Sequence, residues 1–165
     1  MKSPEELTDL FRATGRKVTP QRRRIFELLQ GDGTHPSAEE IYRRLSAEMS
    51  TVSLKTVYQT LGELASMGVI LSVDVGTRSM RFDPNVEAEH QHLLCARCEA
   101  VQDVTLPVEL APGEVIDGYL VMRTDIVVRG LCPSCRADLG EAAAKWVAPG
   151  VAGVAEQSPR TEKVL

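Results

Sequence analysis

Aromatic residues make up only 4% of this 165-residue chain, too few to build stacking platforms for single-stranded nucleic acid. No apolar run approaches the roughly 20 residues that cross a bilayer. The opening MKSPEELTDLFRATGRK lacks the apolar stretch of a secretory signal, so the expected location is the cytoplasm. Histidine occurs only three times, and all four cysteines fall in two CxxC pairs. What is present is ordinary core material: 43% of residues are hydrophobic, enough for one domain or two small ones.

The net charge of -4 argues against nucleic acid until the chain is divided. Before Asp83 there are twelve Lys+Arg against ten Asp+Glu, and from Asp83 onward seven against thirteen. A mildly basic front and an acidic rear suit a DNA-reading module followed by something else, although two unrelated packing modules would show the same asymmetry.

The front half reads as four helices and a hairpin. Ser3-Pro4-Glu5-Glu6 is a capping box with proline in the first helical turn, and Leu7, Leu10 and Phe11 follow at helical spacing up to Gly15. Thr19-Pro20 opens a second helix carrying Ile25, Leu28 and Leu29. Ser37-Ala38-Glu39-Glu40 opens a third with Ile41 and Leu45, and Ser53 a fourth with Leu54, Val57, Leu61 and Leu64, stopped by Gly68. The period then changes to two: Leu71, Val73 and Val75 alternate outward, Gly76-Thr77 offers a two-residue turn, and Arg78, Met80 and Phe82 alternate back. Helices followed by a basic-tipped hairpin make a winged helix. Its third and fourth helices, joined by Met49 to Val52, form the helix-turn-helix, with the fourth in the major groove. Ser53, Lys55, Thr56, Tyr58 and Gln59 lie off the apolar stripe of that fourth helix. With Lys17, Arg22 and Arg78 they form the candidate DNA-contacting set. A solvated helix face is the competing reading of these positions, and of Arg22, Arg23 and Arg24.

The rear half carries two metal signals. Cys95-x-x-Cys98 and Cys132-x-x-Cys135 can each offer two thiolates to one ion, completing a tetrahedral four-cysteine set of the structural zinc type. The 33 intervening residues exceed a compact ribbon, so each pair should sit on its own knuckle, with the ion tying a strand to the C-terminal segment. Disulfides and a redox dithiol are the alternatives, and cytosolic context with paired spacing opposes the first. Separately, His90-Gln91-His92 on a strand would project two imidazoles to one face. His35 lies in the loop before the third helix, Asp83 closes the hairpin, and Asp103 follows the first CxxC. Each of these residues alone also fits a turn, a capping neighbour or an exposed strand position.

Six motifs in order resemble the ferric uptake regulator family from about Leu7 to Cys135. They are Val18-Thr19-Pro20-Gln21-Arg22, His35-Pro36-Ser37-Ala38-Glu39-Glu40-Ile41-Tyr42, Ser53-Leu54-Lys55-Thr56-Val57-Tyr58 and Arg81-Phe82-Asp83. His90-Gln91-His92 with Cys95-x-x-Cys98, and Gly130-Leu131-Cys132-x-x-Cys135, complete the series. The resemblance implies an α+β fold: an N-terminal winged-helix DNA-binding domain (residues 1–83), then a small α/β dimerisation and metal-sensing domain with a four-cysteine structural zinc site (84–140). Beyond Asp138 the family pattern ends; Ala142 to Lys145 can extend a helix, and by composition 141–165 reads as a disordered tail. The resemblance implies a homodimeric repressor, not an enzyme, that binds a palindromic double-stranded operator when a divalent ion fills a site between the domains. In the peroxide-sensing branch three His and two Asp hold that ion, matching His35, Asp83, His90, His92 and Asp103. Such a set suits Fe(II) or Mn(II), and the resemblance implies that bound iron lets peroxide oxidise His35 or His90. The alternative is a reversible iron- or manganese-responsive regulator of metal homeostasis; a metalloenzyme and a zinc-stabilised interaction module are remoter readings.

The chain also departs from the family. The strand before the second CxxC reads Met122-Arg123-Thr124-Asp125-Ile126, without the histidine many relatives carry. Pro107, Pro112 and Gly113 break the helix expected between Asp103 and Gly118. A truncated or irregular element is expected there.

Overall fold

The computed structural model describes residues 1–86, 90–107 and 111–146. Four helices lead: α1 (Pro4–Ala13), α2 (Pro20–Leu29), α3 (Ala38–Ser46) and α4 (Leu54–Ser66). Their starts are chemically specified. Ser3 and Ser37 each accept a hydrogen bond from the amide three residues on, while Glu6 and Glu40 reach back to the amides of Ser3 and Ser37 at 2.7 Å. Thr19 and Ser53 cap α2 and α4 through the amides of Arg22 and Thr56. Once capped, the apolar stripes converge. Leu7, Phe11, Ile25, Phe26, Leu29, Ile41, Leu45, Val57, Leu61 and Leu64 are all fully buried in one cluster, each worth about 1.5–3 kcal/mol in transfer free energy.

A two-stranded wing follows, β1 (Leu71–Val73) against β2 (Arg81–Asp83), antiparallel with Leu71 opposite Asp83 and Val73 opposite Arg81. The tight turn expected at Gly76-Thr77 does not form. Pairing stops at Val73, residues 74–80 make a longer loop, and Met80 is exposed. Val75 leaves the ladder because it is buried elsewhere, with Val73, Leu94 and Val101 in a second cluster that joins the wing to the rear sheet. Phe82 also donates its amide to the Pro36 carbonyl at 3.1 Å, and Ser37 bridges Arg81. The loop before α3 is thereby bound to the wing's return strand.

The rear sheet has the order β4-β3-β7: β3 (Gln91–Cys95) is central, antiparallel to β4 (Val101–Val104) and parallel to β7 (Val127–Gly130). Between β4 and β7 stands a small hairpin, β5 (Val115–Ile116) with β6 (Tyr119–Leu120), as the broken sequence there implies. After β7 comes α5 (Pro133–Leu139), capped by Cys132. A 3-10 helix over Gly140–Trp146 carries ordered structure past the expected start of the tail at 141; the rest of that tail, from 147, lies outside the described residues. Among the described residues no helix is long and apolar enough to cross a membrane.

Candidate metal centres and nucleic-acid interface

The topology places five candidate ligands together. Register sets His92 on β3 directly opposite Asp103 on β4. His90, two residues earlier, falls on the same side as His92, and their rings meet edge-on at 4.9 Å. Asp83 ends the wing and His35 arrives on the loop tied to it. One ligand atom from each of these residues lies within 4.8 Å of all the others.

The contacts are short but not a satisfied hydrogen-bond network. His35 Nε2 lies 2.6 Å from Asp103 Oδ1 and 3.5 Å from Asp83 Oδ1; His90 Nε2 lies 2.8 Å, and His92 Nε2 3.6 Å, from Asp83 Oδ2. Yet His35 Nε2, His92 Nε2 and Asp103 Oδ1 are buried without an aligned partner, an arrangement costly enough to need an explanation. His35 Nδ1 pairs with the Gly33 carbonyl at 3.0 Å, which makes it the N–H and leaves the Nε2 lone pair facing inward. His35 also holds a positive φ of 51°, a conformation disfavoured for a residue with a side chain. Burial pushes the His35 imidazole down, but Asp83, Asp103 and the Gly33 carbonyl outweigh it and carry it above its ordinary value. Burial likewise pushes the Asp83 carboxyl up, while the His35 and His92 imidazoles beside it and the Asn85 amide hold it well below the usual range. A site of converging lone pairs and carboxylates is what a divalent cation would complete: three nitrogens and two oxygens, without thiolate.

The four cysteines form the second centre, all Sγ atoms within 4.8 Å of one another and none in a disulfide. Cys95 and Cys98 flank the turn from β3 into β4, and Cys132 and Cys135 open α5, so each pair has its own knuckle. Burial pushes the Cys95 thiol up, but amides from Cys132, Cys98 and Arg97 bring it down to about 6. Burial and the three neighbouring sulfurs push Cys135 up to about 12. Four thiolates this close repel one another; a closed four-thiolate cation site removes that repulsion, and zinc fits it.

The candidate DNA set divides. Lys55, Tyr58 and Gln59 are exposed along α4, and Ser53 and Thr56 hydrogen-bond each other at its N-terminus. The Tyr58 hydroxyl donates to Glu39 of α3, which fixes its direction. Lys17 is exposed beside them in a cleft lined by Thr19, Thr56 and Gln59. Arg22 is different. Its guanidinium binds Glu63 at 2.8 Å and the Lys17 carbonyl at 3.0 Å, stacks over Phe11 and is 12% exposed, so it is spent inside the fold. Arg78 does not crown an outward wing; the loop turns toward the rear sheet and Arg78 lines a cleft with Glu99, Ala96 and Arg129. Arg129 donates to the Val75 carbonyl at 2.9 Å and holds that loop down.

Sequence reasoning missed several supporting residues. Asn85 binds both carboxylates of the histidine site. Arg81, buried, spans from Glu40 on α3 to the Glu99 carbonyl in the first CxxC knuckle. Only Asn85 had a local signal: Asp83-Pro84-Asn85 is an Asx-turn pattern.

A capped winged helix joined to a sheet that carries a His/Asp cluster and a Cys cluster defines a metal-binding regulator of transcription. Residues 13–122 match the ferric uptake regulator family, and the chain belongs to it; its members are metal-responsive, DNA-binding regulators rather than enzymes. Within the family the likeness is to the PerR type. The chain is 31% identical over 136 residues to the peroxide-responsive repressor PerR of Staphylococcus aureus (strain USA300), covering 80% of this chain and 90% of that protein. It is 32% identical, with the same coverage, to the PerR of Staphylococcus saprophyticus. The ferric uptake regulator of Francisella tularensis, solved with iron, superposes with a TM-score of 0.63 at 26% identity, over 74% of this chain and 96% of that one.

Proposed function

We propose that the chain is a cytoplasmic, homodimeric repressor whose regulatory Fe(II) or Mn(II) site, made of His35, Asp83, His90, His92 and Asp103, senses hydrogen peroxide when it holds Fe(II). The observation that carries this reading is the set of buried, unpartnered atoms on His35, His92 and Asp103 converging with two further ligands and no sulfur. The likeness to peroxide-responsive repressors supports it. Bound ferrous iron would supply the electrons that activate peroxide beside an imidazole. In the net change one H2O2 inserts oxygen into a ring C–H of His35 or His90 and leaves as one water. A ligand so altered binds its cation less well, and the operator is released. Cys95, Cys98, Cys132 and Cys135 hold a structural Zn(II).

In this reading residues 1–83 bind DNA and 84–140 dimerise. Lys17, Ser53, Lys55, Thr56, Tyr58 and Gln59 face a palindromic duplex, whose two-fold symmetry the dimer matches. Leu93, Val115, Ile116, Tyr119, Leu120 and Met122 are exposed in one protomer, apolar surface of the kind a second copy covers. His35 belongs to the front half and His90, His92 and Asp103 to the rear. An ion gripping both would fix the angle of each winged helix and favour the DNA-competent form.

Peptide mass spectrometry after brief, low peroxide tests the sensing chemistry. One added oxygen on the peptide bearing His35 or His90, with iron and not with manganese, is the expected result. No adduct with iron would leave a reversible metal-responsive regulator instead.

A further inference from the structure

We infer that Asn85 is the positioning residue that fixes how the two aspartates present themselves to the cation, and so sets which cations the site accepts. The inference rests on the regulatory site proposed above. Asn85 touches both carboxylates with different groups: its backbone amide donates to Asp83 Oδ1 at 2.7 Å, and its side-chain amide donates to Asp103 Oδ2 at 2.9 Å. The other oxygen of each carboxylate faces the histidines, Asp83 Oδ2 toward His90 at 2.8 Å and Asp103 Oδ1 toward His35 at 2.6 Å. Asp103 is thus divided into an oxygen held by Asn85 and an oxygen turned inward; in Asp83 the oxygen held by the Asn85 amide stands farther from the histidines, 3.5 Å from His35 Nε2, than the one turned toward His90.

This partition has a chemical consequence. A carboxylate with one oxygen engaged by a strong donor gives the cation one bond rather than two. Two such aspartates and three imidazoles make five donors. That number suits Fe(II) and Mn(II), whereas Ca(II) wants six to eight oxygens and often takes carboxylates through both. Asn85 also stands on the solvent side of the site, where Asp83, Asn85, Asp103 and the Gly31–Gly33 loop line a cleft of about 380 Å³. Keeping the aspartates to one oxygen each leaves that side available to a small molecule.

The test is Asn85→Leu, which keeps the backbone amide and the branched shape but removes the side-chain donor. Zinc-replete, full-length protein is titrated with Mn(II), followed by loss of the free-ion paramagnetic resonance signal, alone and against Ca(II). Mn(II) affinity is expected to fall by about 10- to 100-fold, as outer-shell losses do, and Ca(II) affinity to fall much less, so that the Mn/Ca ratio drops. A structural role alone would weaken both ions in step, and that result overturns the inference, as does unchanged Mn(II) binding in the variant. Asn85→Ser, whose hydroxyl restores a donor, is expected to recover part of the ratio; no recovery would also count against it. Failure of the unsubstituted protein to bind Mn(II) beyond its zinc would instead overturn the regulatory site itself.

Discussion

Replacing His35 with asparagine separates the fold from the switch. His35 is fully buried, and its only aligned hydrogen bond joins Nδ1 to the Gly33 carbonyl, a loss of about 1 kcal/mol. Its φ of 51° lies where asparagine is among the most tolerated residues, so the variant relieves backbone strain while vacating part of the imidazole's volume. The Asp83 and Asp103 charges lose one neighbour but keep Asn85, His90 and His92. The net cost is about 1–3 kcal/mol, within what a folded domain tolerates, and the zinc knuckles lie outside the perturbed region. The switch fares differently, because His35 is the ligand on the loop that leads into α3, and only Asp83, at the end of the wing, remains on that side without it. If Mn(II) raises operator affinity by about 100-fold, the coupling is roughly 2.7 kcal/mol, and without His35 the cation keeps only the junction residue Asp83 on that side. Expected in His35→Asn, therefore, are unchanged zinc content and an operator affinity that Mn(II) shifts by less than about threefold. Fluorescence anisotropy with a duplex selected by the unsubstituted protein reads this directly. A variant that still responds to Mn(II) by tens-fold would refute the idea that the ion couples the halves through His35.

Other outcomes follow from the same geometry. Lys55→Ala should lower the slope of log affinity against log salt by about one unit, since an exposed lysine on α4 releases about one counterion; Arg22→Ala should leave the slope alone and cost about 1–3 kcal/mol in thermal unfolding, because its partner Glu63 is internal. Gly76→Ala meets two penalties, a left-handed φ of 72° and a Cβ that collides with the Arg129 guanidinium. It should lower the melting temperature by several degrees and weaken the attachment of the wing, seen as faster amide exchange in the paired wing strands β1 and β2. Cys132→Ser should abolish stoichiometric zinc by metal analysis and unfold the rear sheet by circular dichroism, whereas retention of one tightly held zinc would refute a four-cysteine site.

The helical half was legible because its information is local. Ser3, Thr19, Ser37 and Ser53 each announce a helix, and the stripes behind them have one possible inside. The two ligand sets were legible as residue types; spacing grouped the four cysteines and the resemblance grouped the histidines and aspartates, but neither gave the angles and orphaned atoms on which the proposed cation site rests. What escaped was decided by partners distant in sequence. The alternation through Val75 suggested a tight hairpin, yet Val75 packs against Leu94 and Val101, which no local pattern reveals. Arg22 lies on a face that looks solvated until Glu63 of α4 is brought against it, and Arg78 looks like an outward wing tip until the wing loop lies on the rear sheet, where it stays exposed beside a cleft. Asn85 could have been read as the end of an Asx turn, but its second contact, to Asp103, exists only once β4 is paired.

Strand β3 carries His92 near one end and Cys95 at the other, three residues or about 10 Å apart. The two centres therefore share a beam. Anything that strips or oxidises the thiols loosens the strand that aims His92 across at Asp103, and the sensor goes silent without any of its own ligands being touched. If the proposed peroxide chemistry holds, a cell would then have two ways of losing repression: a fast one written into an imidazole, and a slow one that begins in sulfur and travels down a single strand.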